Sequence, residues 1–591
     1  MELYHNSQDP AYRHPLGAVP CDTRIRLALT VSGKPQKVIL RTWNGGEHFY
    51  PMQPCGLGRW EAFIVAGHEP QILWYDFYAD DERGRRMFYG NASDRLGGEG
   101  TVYLNLPPSY QITVHAPDYD TPGYLRRGIM YQIFPDRFHR SRLPETDRDD
   151  VVVQKDWYAL PFPYGDGKHG SNPARDFFGG NLEGIRLKLP YLKDLGVSIL
   201  YLNPIFKARH NHRYDTGDYK SIDPILGTED DFKRLCKEAG DMGIRVMLDG
   251  VFSHTGDDSI YFNRYGRYPG KGAYQSKHSP YYPWYRFTEY PDKYACWWNI
   301  DTLPEVNKDI PGYREFILGE RGVVRNWIGK GACGWRLDVA DELPMSFLRE
   351  MRKSARIQDP DAALLGEVWE DASNKMAYGR MRSYCLGDTL DSVMNYPLRD
   401  VLIRFFTHDC DAEHLVRLIR SLQENYPKVF FYSLMNLMGS HDRVRILNLL
   451  AKQEYANMPP QERGKQVLAP DLKALATERF KNMLRLVAAL PGMPSLYYGD
   501  EAGMEGANDP YNRGPFPWGL EDRELTDFVK ETFRQRNDHP VLQTGTFDIA
   551  YEGKHTVLIY RGLDERGRDA FGDEIKDRPC LIRVTRDTVQ L

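Results

Sequence analysis

No stretch of about eighteen apolar residues occurs anywhere in the 591-residue chain, so the sequence contains no candidate for a bilayer-crossing helix. Its first residues, Met1-Glu2-Leu3-Tyr4-His5-Asn6-Ser7, do not join a basic region to an apolar one, and a cytoplasmic protein is expected. Eight cysteines are scattered without a CxxC pair or a dense cluster, which excludes a zinc ribbon and a disulfide framework. Neither sign of charge dominates: 77 basic against 82 acidic residues leave −5, too little of one sign to attract nucleic acid. Repeats and low-complexity tracts are absent.

What is there is the composition of a folded protein, 41% hydrophobic and 27% charged, with glycine and proline dispersed; disorder and collagen-like structure are excluded. Aromatic residues make up 13%. Those that are exposed suit flat apolar faces such as sugar rings, while most belong to the core.

The first hundred residues read with period two. Ile25, Leu27, Leu29 and Val31 alternate with Arg24, Arg26, Ala28 and Thr30, and similar runs cover 38–43, 60–65 and 72–78, separated by turn residues such as Asn44-Gly45-Gly46. This pattern predicts a β-sandwich over residues 1–120, with a linker at 116–127. Beyond Gly128 short apolar runs alternate with helical stretches. Candidate strands are 129–134, 199–204, 246–252, 334–339, 363–368, 392–396, 430–435 and 495–498, and eight such units over 121–540 predict a (β/α)8 TIM barrel. From the pattern alone a doubly wound open sheet gives the same rhythm. Thr228 with Asp231 three residues on predicts a capping box, and Gly240 a helix stop. Residues 255–311, rich in aromatic residues and without periodicity, predict an irregular subdomain inserted after the third strand. Residues 541–591 return to alternation and predict a small C-terminal β-domain, so the chain is multidomain.

A barrel of this kind presents its chemistry where strands end and loops begin. Four such ends carry carboxylates: Asp249-Gly250-Val251-Phe252-Ser253-His254, Gly334-Trp335-Arg336-Leu337-Asp338, Gly366-Glu367-Val368-Trp369 and Gly439-Ser440-His441-Asp442. Taken singly, each has a plainer explanation as a helix cap or a satisfied structural residue. Their order on successive strands points to chemistry or a metal, because carboxylates beside apolar strands must be paired or used.

With these motifs the sequence resembles the α-amylase family of glycoside hydrolases, and within it the neopullulanase, cyclomaltodextrinase and maltogenic amylase group. The resemblance extends to Phe177-Phe178-Gly179-Gly180-Asn181, Asn211-His212-Arg213-Tyr214-Asp215, Leu303-Pro304-Glu305-Val306-Asn307, Val393-Met394-Asn395-Tyr396-Pro397 and Tyr498-Gly499-Asp500-Glu501. It implies Asp338 as nucleophile, Glu367 as general acid and base, and Asp442 as the third carboxylate, which holds the sugar's hydroxyls. It implies that Arg336 orients Asp338, that His212, His254 and His441 bond the glucose at the cleavage point and that Tyr214 stacks on it. Asp509 and Arg513 are implied to contact sugars further out, Trp369 to form a platform on the leaving-group side or simply a buried strand-end tryptophan, and Asp249 to be structural. Without the family, His210-x-His212 suggests metal ligands, yet no further histidine or cysteine spacing supports them.

Departures from the family pattern bear on the leaving-group side and on calcium. Glu370-Asp371 stands where relatives often have His-Asp, and Asp341-Glu342-Leu343 where Val-Asp-His often follows. Glu305 replaces a basic residue. Asn181 and Ser253 replace residues that serve calcium in relatives, so no tight calcium site is expected although calcium stays open, and no organic cofactor is needed. The expected activity is retaining hydrolysis of α-1,4 bonds in maltooligosaccharides, cyclodextrins or pullulan, with transfer to sugar acceptors. An α-1,6-acting pullulanase or oligo-1,6-glucosidase type and a non-catalytic barrel binding protein are the alternatives. The expected partner is an α-glucan, with neither nucleic acid nor membrane, and relatives suggest a homodimer through the N-terminal domain.

Overall fold

The computed structural model describes residues 1–163, 174–586 and 589–590. In the N-terminal part, strands Arg24–Val31 and Arg59–Val65 pair antiparallel in a five-stranded sheet. Lys37–Trp43, Gln71–Asp80 and Tyr110–His115 belong to a seven-stranded one. Ile25, Leu27, Leu29 and Val31 meet Leu40, Phe77 and Ile112 in a single core, as alternation in a half-buried strand requires.

Eight parallel strands form the next unit: Met130–Ile133, Ile199–Leu202, Arg245–Gly250, Ala332–Leu337, Ala363–Gly366, Ser392–Val393, Met435–Leu437 and Met493–Tyr497. The first pairs with the eighth, Met130 opposite Ser495. A bridge between Met394 and Met435 closes the ring between sixth and seventh. The sheet is therefore a barrel and not the open doubly wound alternative.

Alternation sorts the strand residues. Met130, Ile199, Tyr201, Met247, Leu365, Met394, Met435 and Met493 fill the inside; Tyr131, Leu200, Leu248, Trp335, Leu337 and Leu364 face outward into the helix layer. Two residues beyond the inward Met130, Met247 and Leu365 come Gln132, Asp249 and Glu367, so the same parity that fills the barrel lifts polar groups to its C-terminal rim. In the fourth strand the register shifts against the third. Gly334 stands there at φ 153, with the Ala363 carbonyl oxygen 2.1 Å from where a Cβ would be, so only glycine allows this close approach.

Two local expectations are corrected. The seventh strand is Met435–Leu437, so only the last residue of the expected 430–435 run is in it, while Phe430 and Phe431 lie in the helical turn Lys428–Phe431. A short apolar run cannot be assigned by periodicity, and here Pro427 opens a turn at the N-cap position. The helix Glu229–Asp241 does begin with the Thr228/Asp231 capping box, but it continues through Gly240. Gly243 at φ 76 carries the chain away after the end.

Within residues 255–311 lies a small antiparallel pair, Phe287–Glu289 with Lys293–Tyr294. Its aromatic side chains, among them Phe262, Trp284 and Tyr285, join the main core. The insertion is thus packed and not merely irregular.

At the other end a four-stranded sheet includes Thr546–Glu552, Thr556–Gly562 and Cys580–Thr585. Two buried arginines bind main-chain carbonyls at this junction, and Arg561, itself on the sheet, fastens it to the barrel. Arg561 donates to Ala489 at 2.8 Å and Gly545 at 3.1 Å, and Arg536 to Leu490 at 3.1 Å and Gly492 at 2.6 Å. The carbonyls of Ala489, Leu490 and Gly492 lie at and just beyond the C-terminal end of helix Pro470–Ala489, where the helix dipole favours a cation. Among the described residues no helix is long and apolar enough to cross a membrane.

Candidate active site

Arg336 is the hub of the barrel mouth. Fully buried on the fourth strand, its Nη1 lies 2.9 Å from Asp249 and 3.0 Å from Asp338, while Nη2 lies 2.9 Å from Glu367. Three carboxylates from three strand ends thus share one guanidinium. Glu367 also accepts from the Val339 amide at 2.8 Å. Asp442 completes the group from the loop after the seventh strand and is the most open of the four, its side chain 30% exposed.

So many acids around one cation cannot all ionise freely. Burial, with Asp442 and Asp249 adding repulsion, pushes Glu367 up to about 7, against the pull of Arg336. Burial raises Asp338 as well, and Arg336 opposes that rise while Glu367 and Asp249 add to it. Both carboxyls are thus held above the usual carboxylate range, and the pair keeps a proton near neutrality.

A second network lines the opposite wall. The Tyr214 hydroxyl donates to Asp249 at 2.8 Å and lies 2.6 Å from His441 Nε2; the two rings stack 5.2 Å apart, 4° from parallel. Gln132 donates to His441 Nδ1 at 2.8 Å, which leaves the His441 hydrogen on Nε2, facing Tyr214 and, at 3.2 Å, Asp442. His212 Nδ1 accepts from the Tyr214 amide at 3.0 Å. His254 reaches the Tyr214 carbonyl at 3.1 Å and the Ser253 hydroxyl at 2.9 Å, so both its ring nitrogens brace the wall. Burial lowers His212 to about 3, His254 to about 4 and His441 well below its usual range; all three are neutral at pH 7.

Arg513 caps this wall. It donates to the His441 carbonyl at 3.0 Å and pairs with Asp509 at 3.1 Å and Asp442 at 3.5 Å. Half-buried Trp369 stacks on Tyr396, 4.2 Å between centroids, with the Arg443 guanidinium 4.2 Å from the Trp369 ring and 5.6 Å from that of Tyr396. It is neither fully buried nor fully open.

The residues singled out as catalytic or sugar-binding all belong to these networks at the mouth. Gln132, Asn203, Tyr201 and Lys308 were not singled out. Gln132 and Asn203 each interrupt or end an apolar strand, the one available signal; Asn203 accepts from Gln132 at 3.0 Å and donates to Tyr214 at 2.8 Å. Tyr201 donates to Asp249 at 2.6 Å. Buried Lys308 pairs with Glu305 at 3.2 Å and so restores a cation beside the altered motif.

The positions that bear on calcium do not form an oxygen cage. Asn181 caps a helix by accepting from the Gly184 amide at 2.7 Å, and Ser253 is engaged by His254. Among the described residues one group brings three metal-type donors together: His210, His212 and Asp215, within 4.8 Å. It is rich in nitrogen, His210 already lies 2.9 Å from Asp215, and the Tyr214 amide occupies His212; this does not match a hard cation.

The alpha amylase catalytic-domain family matches residues 132–540. The chain is 35% identical to an amylopullulanase of Thermoanaerobacterium saccharolyticum, over 99% of this chain and 48% of that protein; it spans half or less of the amylopullulanases it matches. It is 33% identical to neopullulanase 2 of Thermoactinomyces vulgaris, over 74% of this chain and 68% of that one. Among solved structures it resembles the ligand-free cyclic α-maltosyl-(1→6)-maltose hydrolase of Arthrobacter globiformis, with a TM-score of 0.64 and 30% identity, over 79% of this chain and 92% of that one. The barrel, its ring of carboxylates and these matches together show that the chain belongs to the α-amylase family of glycoside hydrolases.

Proposed function

We propose that the protein is a retaining α-glucan hydrolase that cleaves α-1,4 bonds in maltooligosaccharides, cyclodextrins and pullulan and transfers part of its product to sugar acceptors. The observation that carries this is the sharing of Arg336 by Asp338 and Glu367 at 3.0 and 2.9 Å. Two carboxyls held on one guanidinium are close neighbours, and a close-set pair, about 5–5.5 Å apart against about 6.5–9.5 Å in inverting enzymes, is the arrangement of retaining enzymes, with no room for an attacking water between them.

In this mechanism Asp338 attacks the anomeric carbon while Glu367 gives its proton to the leaving oxygen, breaking the glycosidic bond. Glu367, now a carboxylate, takes a proton from water, which hydrolyses the glycosyl–Asp338 ester. Arg336 opposes the protonation of Asp338 that burial favours and orients it, and Asp442 holds ring hydroxyls. His212, His441 and Tyr214 seat the glucose, with His254 behind Tyr214, and Asp509 and Arg513 reach the next unit. Asp249 anchors Arg336. Calcium is not required in this reading, so a chelator leaves turnover unchanged.

The names of the relatives support the substrate class. Eight free cysteines suit a reducing cytoplasm, and a homodimer through the N-terminal sandwich completes the proposal; a monomer mass by light scattering would remove the dimer. The test of substrate is a product profile on γ-cyclodextrin, pullulan and starch, with Asp338→Asn as blank. Ring opening and panose from pullulan support α-1,4 cleavage; maltotriose from pullulan contradicts it in favour of α-1,6.

A further inference from the structure

After Glu367 and Trp369 the chain makes a long excursion before the sixth strand. In it Met376–Ala377 pairs with Arg380–Met381 as a hairpin, and the turn residues Tyr378 and Gly379 are both left-handed, φ 51 and 70. The tip is apolar and open: Tyr378 is 70% exposed and Met376 55%. A non-glycine residue at positive φ costs energy, and an exposed apolar cluster costs solvation, so the combination calls for a use.

The hairpin is held, not loose. Tyr378 donates its hydroxyl to Glu342, Tyr384 to Asp341 at 2.6 Å, and Arg382 to the Asp341 carbonyl at 2.6 Å. Lys375 sits between Asp341, at 3.3 Å, and Glu370. The loops after the fourth and fifth strands therefore form one ledge, tied together through Asp341, Glu342 and Glu370.

The ledge is also fastened to the N-terminal sandwich. Buried Gln111 donates to the Ser373 hydroxyl at 3.1 Å and accepts from Asn374 at 2.7 Å, just before the hairpin. Past it, Ala116 donates to the Leu386 carbonyl at 2.9 Å. The sandwich grips both sides of the excursion within one chain.

An acid that protonates the leaving oxygen stands on the leaving-group side, and the excursion continues from Glu367 itself. Glucose rings present C–H faces that lie well on aromatic and thioether surfaces. We propose that this ledge, with Tyr378 and Met376 at its crest, is a docking face for glucose units of the leaving group, and that Gln111 is a positioning residue which sets it from the sandwich. This rests on the glucan-hydrolase reading above.

The test compares kcat/KM on maltohexaose with kcat/KM on α-maltotriosyl fluoride, whose leaving group is one atom and cannot touch the ledge. Tyr378→Ala is expected to lose about fivefold to tenfold on maltohexaose and less than about twofold on the fluoride. Gln111→Ala is expected to shift the same ratio in the same direction, by about twofold to fivefold, and Tyr378→Phe to retain most of the wild-type ratio. Equal losses on both substrates, or none, overturn the ledge and leave the hydrolase reading standing. A wild type silent on both, like Asp338→Asn, overturns the hydrolase reading and the ledge with it.

Discussion

The amide of Val339 donates to Glu367 at 2.8 Å from a residue whose own backbone is left-handed, φ 39 and ψ 68. A β-branched side chain at positive φ is strained by about 1–3 kcal/mol. The strained residue directly follows Asp338, so the same turn fixes the distance between the two carboxyls proposed to share the chemistry. Val339→Gly should relieve that strain and slacken the turn. The expected result is a kcat at least about tenfold lower with thermal stability unchanged or raised, read by turnover and calorimetry on one preparation.

Glu367 titrates near 7, and as an acid it must carry its proton when the substrate bond breaks. kcat/KM should therefore fall as pH rises through about 7. Stability follows the same sign. A carboxyl whose folded pKa lies above its unfolded value binds more protons when folded, so the fold loses stability as pH rises from about 4.5 to 7. Glu367→Gln, which cannot ionise, should be more stable than wild type at pH 8 by up to about 3 kcal/mol, with the gap closing below pH 4.5. Urea unfolding at the two pH values reads it.

Arg336 compensates three buried carboxylates, and removing it leaves them facing one another. Arg336→Ala should cost about 3–5 kcal/mol of stability and essentially all activity. Arg336→Lys keeps the charge but not the fork that reaches Asp249, Asp338 and Glu367 together, and should also lose at least about a hundredfold in kcat/KM. Retained activity in the lysine variant would show that charge alone suffices.

The Tyr214 hydroxyl serves Asp249, His441 and Asn203 at once. Tyr214→Phe keeps the ring stacked on His441 but strands these buried partners. It should destabilise by about 1–3 kcal/mol and raise KM more than it lowers kcat. Thermal unfolding and saturation kinetics together separate this from a loss of stacking, which the variant does not cause.

Much of this site was legible because it is local. Arg336 is on the fourth strand and Asp338 follows its last residue, two positions on, so their common side follows from the pleat, and the capping box is spelled by Thr228 and Asp231 three residues on. Gln132 was not legible. Its partner His441 lies 309 residues away and meets it only because the barrel closes between the first and last strands. The seventh strand was misplaced for the opposite reason: Val429-Phe430-Phe431 has strand-like composition, and only the turn after Pro427 makes it helical. The ledge at Tyr378 follows from contacts between two loops, about which strand periodicity is silent.

The central claim is that Asp338 becomes covalently bonded to the sugar while Glu367 supplies and recovers the proton. The most direct measurement is trapping with a 5-fluoro-α-glucosyl fluoride, which slows hydrolysis of the intermediate, followed by mass spectrometry of the digested protein. The account predicts one added glycosyl unit on the peptide that contains Asp338, absent from Asp338→Asn. A label on another residue, or products released with inverted configuration and no label, would contradict it.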